Sequence, residues 1–146
     1  MSDELTIVDA NVLVYAHLRQ SPYHAASESL LTRAQEDGLE LCVASQVLAE
    51  FYSVITDPRK VSAPFSPDEA ATAVERIIAL PGMSILPVPT DVPARWVSLA
   101  RERGTKRAHV FDLQLIATMQ ANNVRRIYTY DRGHFSGFDG IEVLTP

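Results

Sequence analysis

Short apolar runs alternate along the chain with longer amphipathic stretches, and the boundaries between them carry recognisable punctuation. The apolar runs predict strands over residues 5–9, 40–44, 84–88 and 126–129, with a weaker one over 142–144. Helices fall between them. One begins near Asn11, and a second starts at Ser21-Pro22, an N-cap followed by proline at the first helical position, and runs to Gly38. Ser45 is expected to cap a third helix that continues through Thr56. Ser66-Pro67-Asp68-Glu69 reads as a capping box whose helix runs to Leu80, before Pro81-Gly82 breaks it. Two more helices span residues 93–104 and 110–122, the last ended by a left-handed residue at Asn122-Asn123. Residues 57–65 form the one sizeable loop. Strands separated by helical stretches of this length pair in parallel with helices on both faces. The prediction is therefore a single three-layer α/β/α domain over residues 1–146, with a mainly parallel sheet of four or five strands. Ligands in such sheets gather beyond the carboxyl ends of the strands, where Asp9, Ser45 and Asp131 fall.

Composition sets the class without naming a chemistry. A chain of 146 residues with 47% hydrophobic and 21% charged positions can close one core without disulfides or structural metal. The single cysteine, Cys42, sits in an apolar run and reads as a small buried hydrophobe, and no intrachain disulfide can form. Met1-Ser2-Asp3-Glu4 offers no basic n-region and no apolar run is long enough to span a bilayer, so no membrane association is expected and the cytoplasm is the expected compartment. Net charge is −5, which argues against a nucleic-acid partner until its distribution is considered. Eight of the thirteen basic residues lie between Arg95 and Arg132 against three acids, so an acidic body carries one basic stretch. Such a stretch is compatible with RNA and equally with a solvated polar face.

Four carboxylates stand where ordinary packing would not put them. Asp9 ends the apolar run Leu5-Thr6-Ile7-Val8, and Asp131 follows Arg126-Ile127-Tyr128-Thr129 closely. Glu50 has Val47 and Val54 as same-face neighbours on its helix, and Asp112 shares a face with Ala108, Leu115, Ile116 and Met119. Each has a structural explanation: an N-cap for Asp9, a narrow exposed stripe for Glu50, a favourable helix dipole for Asp112, a turn aspartate for Asp131. Together they suggest more, because unpaired carboxylates near apolar surface are costly and a hard cation such as Mg²⁺ or Mn²⁺ offsets that cost through oxygen ligands. Asn11 could orient Asp9. His17, His24, His109 and His134 show no zinc-like spacing with Cys42 or each other, and His109 reads as a loop or surface residue. Phe135 reads as a packing residue closing the loop after Asp131. No Gly-rich phosphate cradle, G-x-S-x-G elbow or H-E-x-x-H is present.

With these residues in place the sequence resembles the PIN-domain ribonucleases, in particular VapC-type toxins of bacterial toxin–antitoxin pairs. The resemblance rests on Val8-Asp9-Ala10-Asn11, Ser45-Gln46-Val47-Leu48-Ala49-Glu50-Phe51, Asp112-Leu113-Gln114-Leu115-Ile116-Ala117 and Thr129-Tyr130-Asp131 followed by Phe135, and covers nearly the whole chain. It implies that Asp9, Glu50, Asp112 and Asp131 form an acidic metal site supported by Asn11 and Thr129. Tyr130 departs from the small polar residue frequent at its position. The resemblance further implies metal-assisted hydrolysis of RNA to a 5′-phosphate and a 3′-hydroxyl, a homodimer, and a cognate antitoxin covering the site. Asp9 and Asp112 would be direct ligands, Glu50 a ligand or water activator, and Asp131 a more distant or second-metal residue. Arg101, Arg103, Lys106, Arg107 and Arg132 are the expected RNA-guiding residues at the rim.

Two other readings remain open at this point. An aspartyl-phosphate phosphatase would use Asp9 as nucleophile and Thr129 to hold phosphate, but needs an aspartate where Asn11 stands and a well-placed lysine, and neither Lys60 nor Lys106 has a fitting context. A non-catalytic RNA- or protein-binding module of the same fold would gain nothing from four retained acids.

Overall fold

The computed structural model describes residues 4–146. Met1, Ser2 and Asp3, on which the expectation of no leader partly rests, lie outside the described residues. Strands β1 (Thr6–Val8), β2 (Leu41–Ala44), β3 (Met83–Leu86), β4 (Arg126–Tyr128) and β5 (Glu142–Leu144) form one sheet in the order β3-β2-β1-β4-β5. Every neighbouring pair is parallel, so the expected mainly parallel sheet is wholly parallel, and the weak fifth strand is real.

The centre of the sheet is apolar without alternation, as burial on both faces requires. Thr6, Ile7 and Val8 are all buried, as are Leu41, Cys42, Val43 and Ala44. Ile7 stands in register with Cys42 on one side and Ile127 on the other. Burial pushes the Cys42 thiol up to about 12, which leaves it an inert packing group. Edge strand β3 leaves Ser84 and Ile85 exposed.

Among the described residues seven helices connect the strands: α1 (Ala10–Ala16), α2 (His24–Glu36), α3 (Ser45–Ile55), α4 (Pro67–Ile78), α5 (Val92–Arg103), α6 (Val110–Ala121) and α7 (Arg132–Phe135). From β1 the chain steps outward through β2 to β3, then returns across the sheet to β4 on the other side of β1. Right-handed crossovers therefore put α1 to α4 on one face and α5 to α6 on the other. Consistent with this, α1 packs on α2 and α3, while α5 packs on α6. The reversal makes the carboxyl ends of β1 and β4 a topological switch point, the place where such sheets open a crevice.

Local signals set most of the boundaries. The capping box forms, with Ser66 Oγ accepting the Glu69 N–H at 3.1 Å and Glu69 Oε1 accepting the Ser66 N–H at 2.9 Å. Gly38 (φ +73°) and Asn123 (φ +56°) take the left-handed conformations expected of them. Two expected caps are corrected. Ser21 Oγ accepts the Tyr23 N–H at 3.1 Å in a local turn, so Ser21-Pro22 precedes α2 instead of capping it. Ala44 leads β2 straight into α3, which makes Ser45 the first helical residue, exposed and without a capping bond. A 3₁₀ turn, Arg107–His109, and the short α7 were not expected from the pattern; both are too brief to show a period. Phe135, buried in α7, packs into the core as expected. Among the described residues no helix is long and apolar enough to cross a membrane.

Gly82 shows how tightly α2 packs on the turn into β3. Its φ is +84°, and a Cβ there would stand 2.7 Å from the Ala34 carbonyl oxygen and 2.8 Å from that of Leu39. Both obstacles are backbone. Gly82→Ala is expected to cost about 1–3 kcal/mol or more in urea unfolding, whereas a cost within error of zero would mean that the turn yields freely.

Candidate active site

Asp9 is the first residue past β1 and the N-cap of α1, so its capping role and its place in the site coincide. It is only 8% exposed. Its Oδ1 accepts the Ala10 N–H at 2.8 Å, and its Oδ2 accepts the Thr129 hydroxyl at 2.8 Å. Thr129 follows β4, the parallel neighbour of β1, and is fully buried. Its Oγ1 also accepts the Asp131 N–H at 3.0 Å and Asn11 Nδ2 at 3.2 Å, which uses its one proton and both lone pairs. A hydroxyl so committed has nothing left for a phosphate, which removes the role that the phosphatase reading gave it.

Asn11 ties the two strand ends together. Its amide nitrogen lies 3.2 Å from Asp131 Oδ2 and 3.5 Å from Asp9 Oδ2, and its Oδ1 accepts the Tyr130 N–H at 3.2 Å. The Tyr130 ring turns away from the acids and packs against Tyr15 and Tyr23, with its hydroxyl 2.8 Å from Ser27 Oγ. Its departure from a small residue is thus absorbed on the side facing α2.

Asp9, Asn11, Glu50, Asp112 and Asp131 line one cleft of about 220 Å³, together with Tyr15, Val54 and Lys60. The four acids are therefore brought together. Their settings differ from those the pattern suggested. Asp112 is half-buried, while Leu115, Ile116 and Met119 are buried and Ala108 is exposed in the 3₁₀ turn, off the helix face. Glu50 is exposed, because α3 turns its face from buried Val47 to half-buried Val54 and lets the carboxylate reach the cleft. Asp131 is exposed at the rim. Ser45 does not line the cleft.

Burial pushes the Asp9 carboxyl up, against the hydrogen bonds from Thr129 and Ala10, with Asp131 and Asp112 adding repulsion. Partial desolvation first, then Asp9 and Asp112, push Glu50 up as well. Asp112 is raised by burial and by Asp131, against the nearby imidazoles. Crowded carboxylates that would rather hold a proton are groups that a divalent cation would stabilise. The donors are oxygens, matching Mg²⁺ or Mn²⁺ in kind. Among the described residues no three His, Cys, Asp or Glu side chains converge as a finished cage.

Two residues near the acids, His134 and Lys60, were missed as site candidates, and His109, read as a loop or surface residue, stands exposed in the 3₁₀ turn beside Asp112. His134 Nδ1 lies 3.3 Å from Asp112 Oδ2 and His109 Nδ1 4.0 Å, both delivered by the short turns that periodicity does not reveal. Lys60, which lacked a fitting context in sequence, lines the cleft. By contrast, none of Arg101, Arg103, Lys106, Arg107 and Arg132 lines it. Arg103 lies 3.6 Å over the Phe138 ring and donates to the Gly137 carbonyl, and Arg132 donates to Thr145 Oγ1. These two make contacts of their own, to an aromatic face and to backbone and hydroxyl acceptors, outside the cleft.

The chain is thus a wholly parallel α/β sandwich with four carboxylates lining a cleft at its switch point. The PIN domain family model matches residues 6–140, and the chain belongs to that family. Ribonuclease VapC43 of Mycobacterium tuberculosis (strain H37Rv) is 42% identical over 74 residues, 51% of this chain and 50% of that protein, so the chain matches about half the length of this relative. Ribonuclease VapC24 of the same strain is 28% identical over 142 residues, covering 95% of this chain and 94% of its own. Among solved structures, M. tuberculosis VapC20, a sarcin–ricin loop cleaving toxin, superposes with a TM-score of 0.66 at 16% identity over 94% of this chain and 98% of its own. Rickettsia felis VapBC2 bound to a promoter DNA fragment gives 0.67 at 14% identity, over 97% and 98%. At these identities the superpositions establish the fold.

Two expectations follow. Thr129→Val keeps the shape but leaves Asp9, Asn11 and the Asp131 N–H short of a partner, and should cost about 1–3 kcal/mol in denaturant unfolding; an unchanged midpoint would show that water substitutes for the hydroxyl. Because burial raises the Asp112 carboxyl, the folded chain binds that proton more tightly than the unfolded one, so its contribution to stability falls as pH rises above the ordinary carboxylate range. In chelator, Asp112→Asn should therefore raise Tm by about 2–4 °C at neutral pH, and the gain should vanish near about pH 4. An equal shift at both pH values would locate the effect in packing instead of charge.

Proposed function

We propose that the acidic cleft is the active centre of an endoribonuclease that cleaves RNA phosphodiesters with Mg²⁺ or Mn²⁺, and that the protein is the toxin of a toxin–antitoxin pair. The observation that carries this reading is the convergence of Asp9, Glu50, Asp112 and Asp131 on one cleft, with Asp9 fixed by Thr129 and Asn11 at the strand ends. Membership of the PIN domain family and similarity to VapC ribonucleases support it.

Asp9 and Asp112 would hold the cation, with Glu50 beside them and Asp131 further out. A bound cation lowers the pKa of a water ligand and offsets the charge that develops on phosphorus. The chain's own residues supply the rest. Thr129 and the Ala10 N–H hold the Asp9 carboxylate in one orientation, so the ligand geometry exists before substrate arrives. Glu50, exposed and with a raised carboxyl pKa, is the group suited to accept a proton from the attacking water. That water's oxygen bonds to phosphorus as the bond to the 3′-oxygen breaks, leaving a 5′-phosphate and a 3′-hydroxyl that takes its proton from solvent. The ribose 2′-hydroxyl need not act.

A toxin of this kind works on RNA in the cytoplasm and is restrained by an antitoxin. That pairing is supported by the likeness in fold to Rickettsia felis VapBC2 and to a toxin–antitoxin complex from Klebsiella pneumoniae. A homodimer belongs to the same proposal. The test is cleavage of tRNA and ribosomal RNA by antitoxin-free protein in Mg²⁺, Mn²⁺ or chelator. Discrete metal-dependent cuts are expected, and Asp112→Asn should lower their rate on the order of a hundredfold or more. Cutting that survives chelator, or that Asp112→Asn leaves intact, would remove the acids from the chemistry. Binding of RNA without any cutting would favour a non-catalytic module.

A further inference from the structure

The acidic cleft does not end at its carboxylates. Leu18, Lys60 and Val61 on its wall also line an adjoining cavity of about 510 Å³, formed where the segment after α1 faces the loop after α3. Among the described residues the ionisable side chains of that cavity are His17, Arg19 and Lys60, with no carboxylate in its lining. In a chain of net charge −5, an acid-free cavity opening from an acid-lined cleft is an unusual juxtaposition. We propose that this cavity is the track of the RNA strand on one side of the scissile phosphate, with Lys60 holding the phosphate next to the cut and Arg19 the one beyond. The inference rests on the ribonuclease reading above.

Three observations carry it. First, a metal-loaded acidic centre accommodates one phosphate, and its neighbours along the strand need cations within reach; Lys60 is the basic residue on the wall of the cleft, and it stands where the two spaces join. Second, these cations are uncommitted. Arg59 is forked onto Asp57, Arg95 pairs with Asp91, Arg126 with Glu142, and Arg103 stacks on Phe138. Among the described residues neither the Arg19 nor the Lys60 side chain makes a hydrogen bond or a close ion pair, and the Lys60 charge acts on Glu50 and Asp57 only through space, so both can take up phosphate without breaking a direct contact. Third, the track has an end. Beyond Arg19 a second cavity, sharing His17, Arg19 and Phe65 with the first, is lined by Glu28, Asp68 and Glu69 together with His24 and Arg76. Three acids make it less favourable to a phosphodiester chain than the first cavity, so the proposed contact ends at Arg19. Leu18, Val61 and Phe65 give the same cavity an apolar wall against which a base can lie.

The test uses the full chain carrying Asp112→Asn, chosen to slow cutting during the measurement, and a fluorescent single-stranded RNA of mixed sequence, with anisotropy read across a salt series in Mg²⁺. Arg19→Ala and Lys60→Ala should each weaken binding and each flatten the plot of log affinity against log salt by about 0.7. Lys60→Arg should restore the slope, and Arg95→Ala, on α5 and away from both spaces, serves as the control. In the cutting-competent protein, substrates shortened from one end past the track should become insensitive to Arg19→Ala, while those shortened from the other end stay sensitive.

Slopes for Arg19→Ala and Lys60→Ala that match the Arg95→Ala control, in a protein that still cuts RNA, would overturn the track and leave the ribonuclease reading standing. A folded wild-type protein that neither binds nor cuts RNA would overturn both. Substitutions that spare RNA binding but release a co-expressed antitoxin would also overturn the track, and would assign the cavity to a protein partner.

Discussion

The hydrogen bond from the Thr129 hydroxyl to the buried carboxylate of Asp9 joins the carboxyl ends of the two adjacent parallel strands on which the site is built. A carboxylate that is 8% exposed cannot rely on water, and its two nearest donors are a backbone N–H and this hydroxyl. The bond exists only because β1 and β4 lie side by side with Val8 opposite Tyr128, which sets the next residue of each strand at the same height. That register depends in turn on the fully buried pair Ile7 and Ile127 one step earlier. The fold thus converts apolar packing between neighbouring strands into a fixed orientation for one charged group.

From that anchor the site divides into a rigid half and an adjustable half. Asp9, Asn11 and Thr129 satisfy one another and the backbone, so their positions are fixed before any ligand arrives. Glu50 and Asp131 sit at exposed positions on the cleft rim, and the nearest basic groups to Asp112 are two imidazoles at 3.3 and 4.0 Å. An acidic centre built this way can hold one ligand orientation precisely while the remaining carboxylates move to meet a cation and a substrate. Full rigidity would hold four carboxylates together against only Lys60 and two imidazoles.

Much of this was legible in the residues, and the boundary of legibility is physical. The capping box at Ser66 and Glu69, the left-handed Gly38 and Asn123, and five strands with intervening helices were all local signals, readable because each depends on residues within a few positions. The four acids stood out because burial of charge conflicts with apolar neighbours. Strand order was not legible, since nothing in β4 announces that it returns to lie beside β1. Ser21 and Ser45 have the chemistry of caps, but a serine beside proline can equally close a turn, and a strand can run directly into a helix. His134 and Lys60 reach the acids through chain reversals too short or too irregular to carry a period.

Charge is where counting and geometry part most clearly. The stretch from Arg95 to Arg132 holds most of the basic residues, and on composition alone it is the natural place for RNA. Yet Arg95, Arg103, Arg126 and Arg132 in that stretch are already spent on Asp91, Phe138 and Gly137, Glu142 and Thr145. An arginine that already has a partner shares its donors and charge between that partner and a phosphate, and its orientation is set by the contact it already makes. Lys60 and Arg19 come from a region whose overall balance is acidic, and no composition window would select them. Arg101, Lys106, Arg107 and Arg125 are as free of side-chain partners, so what distinguishes Lys60 and Arg19 is position, on and beside the wall of the acidic cleft. For a nucleic-acid site on an acidic protein, the informative quantity is therefore the number of uncommitted cations within reach of the chemistry.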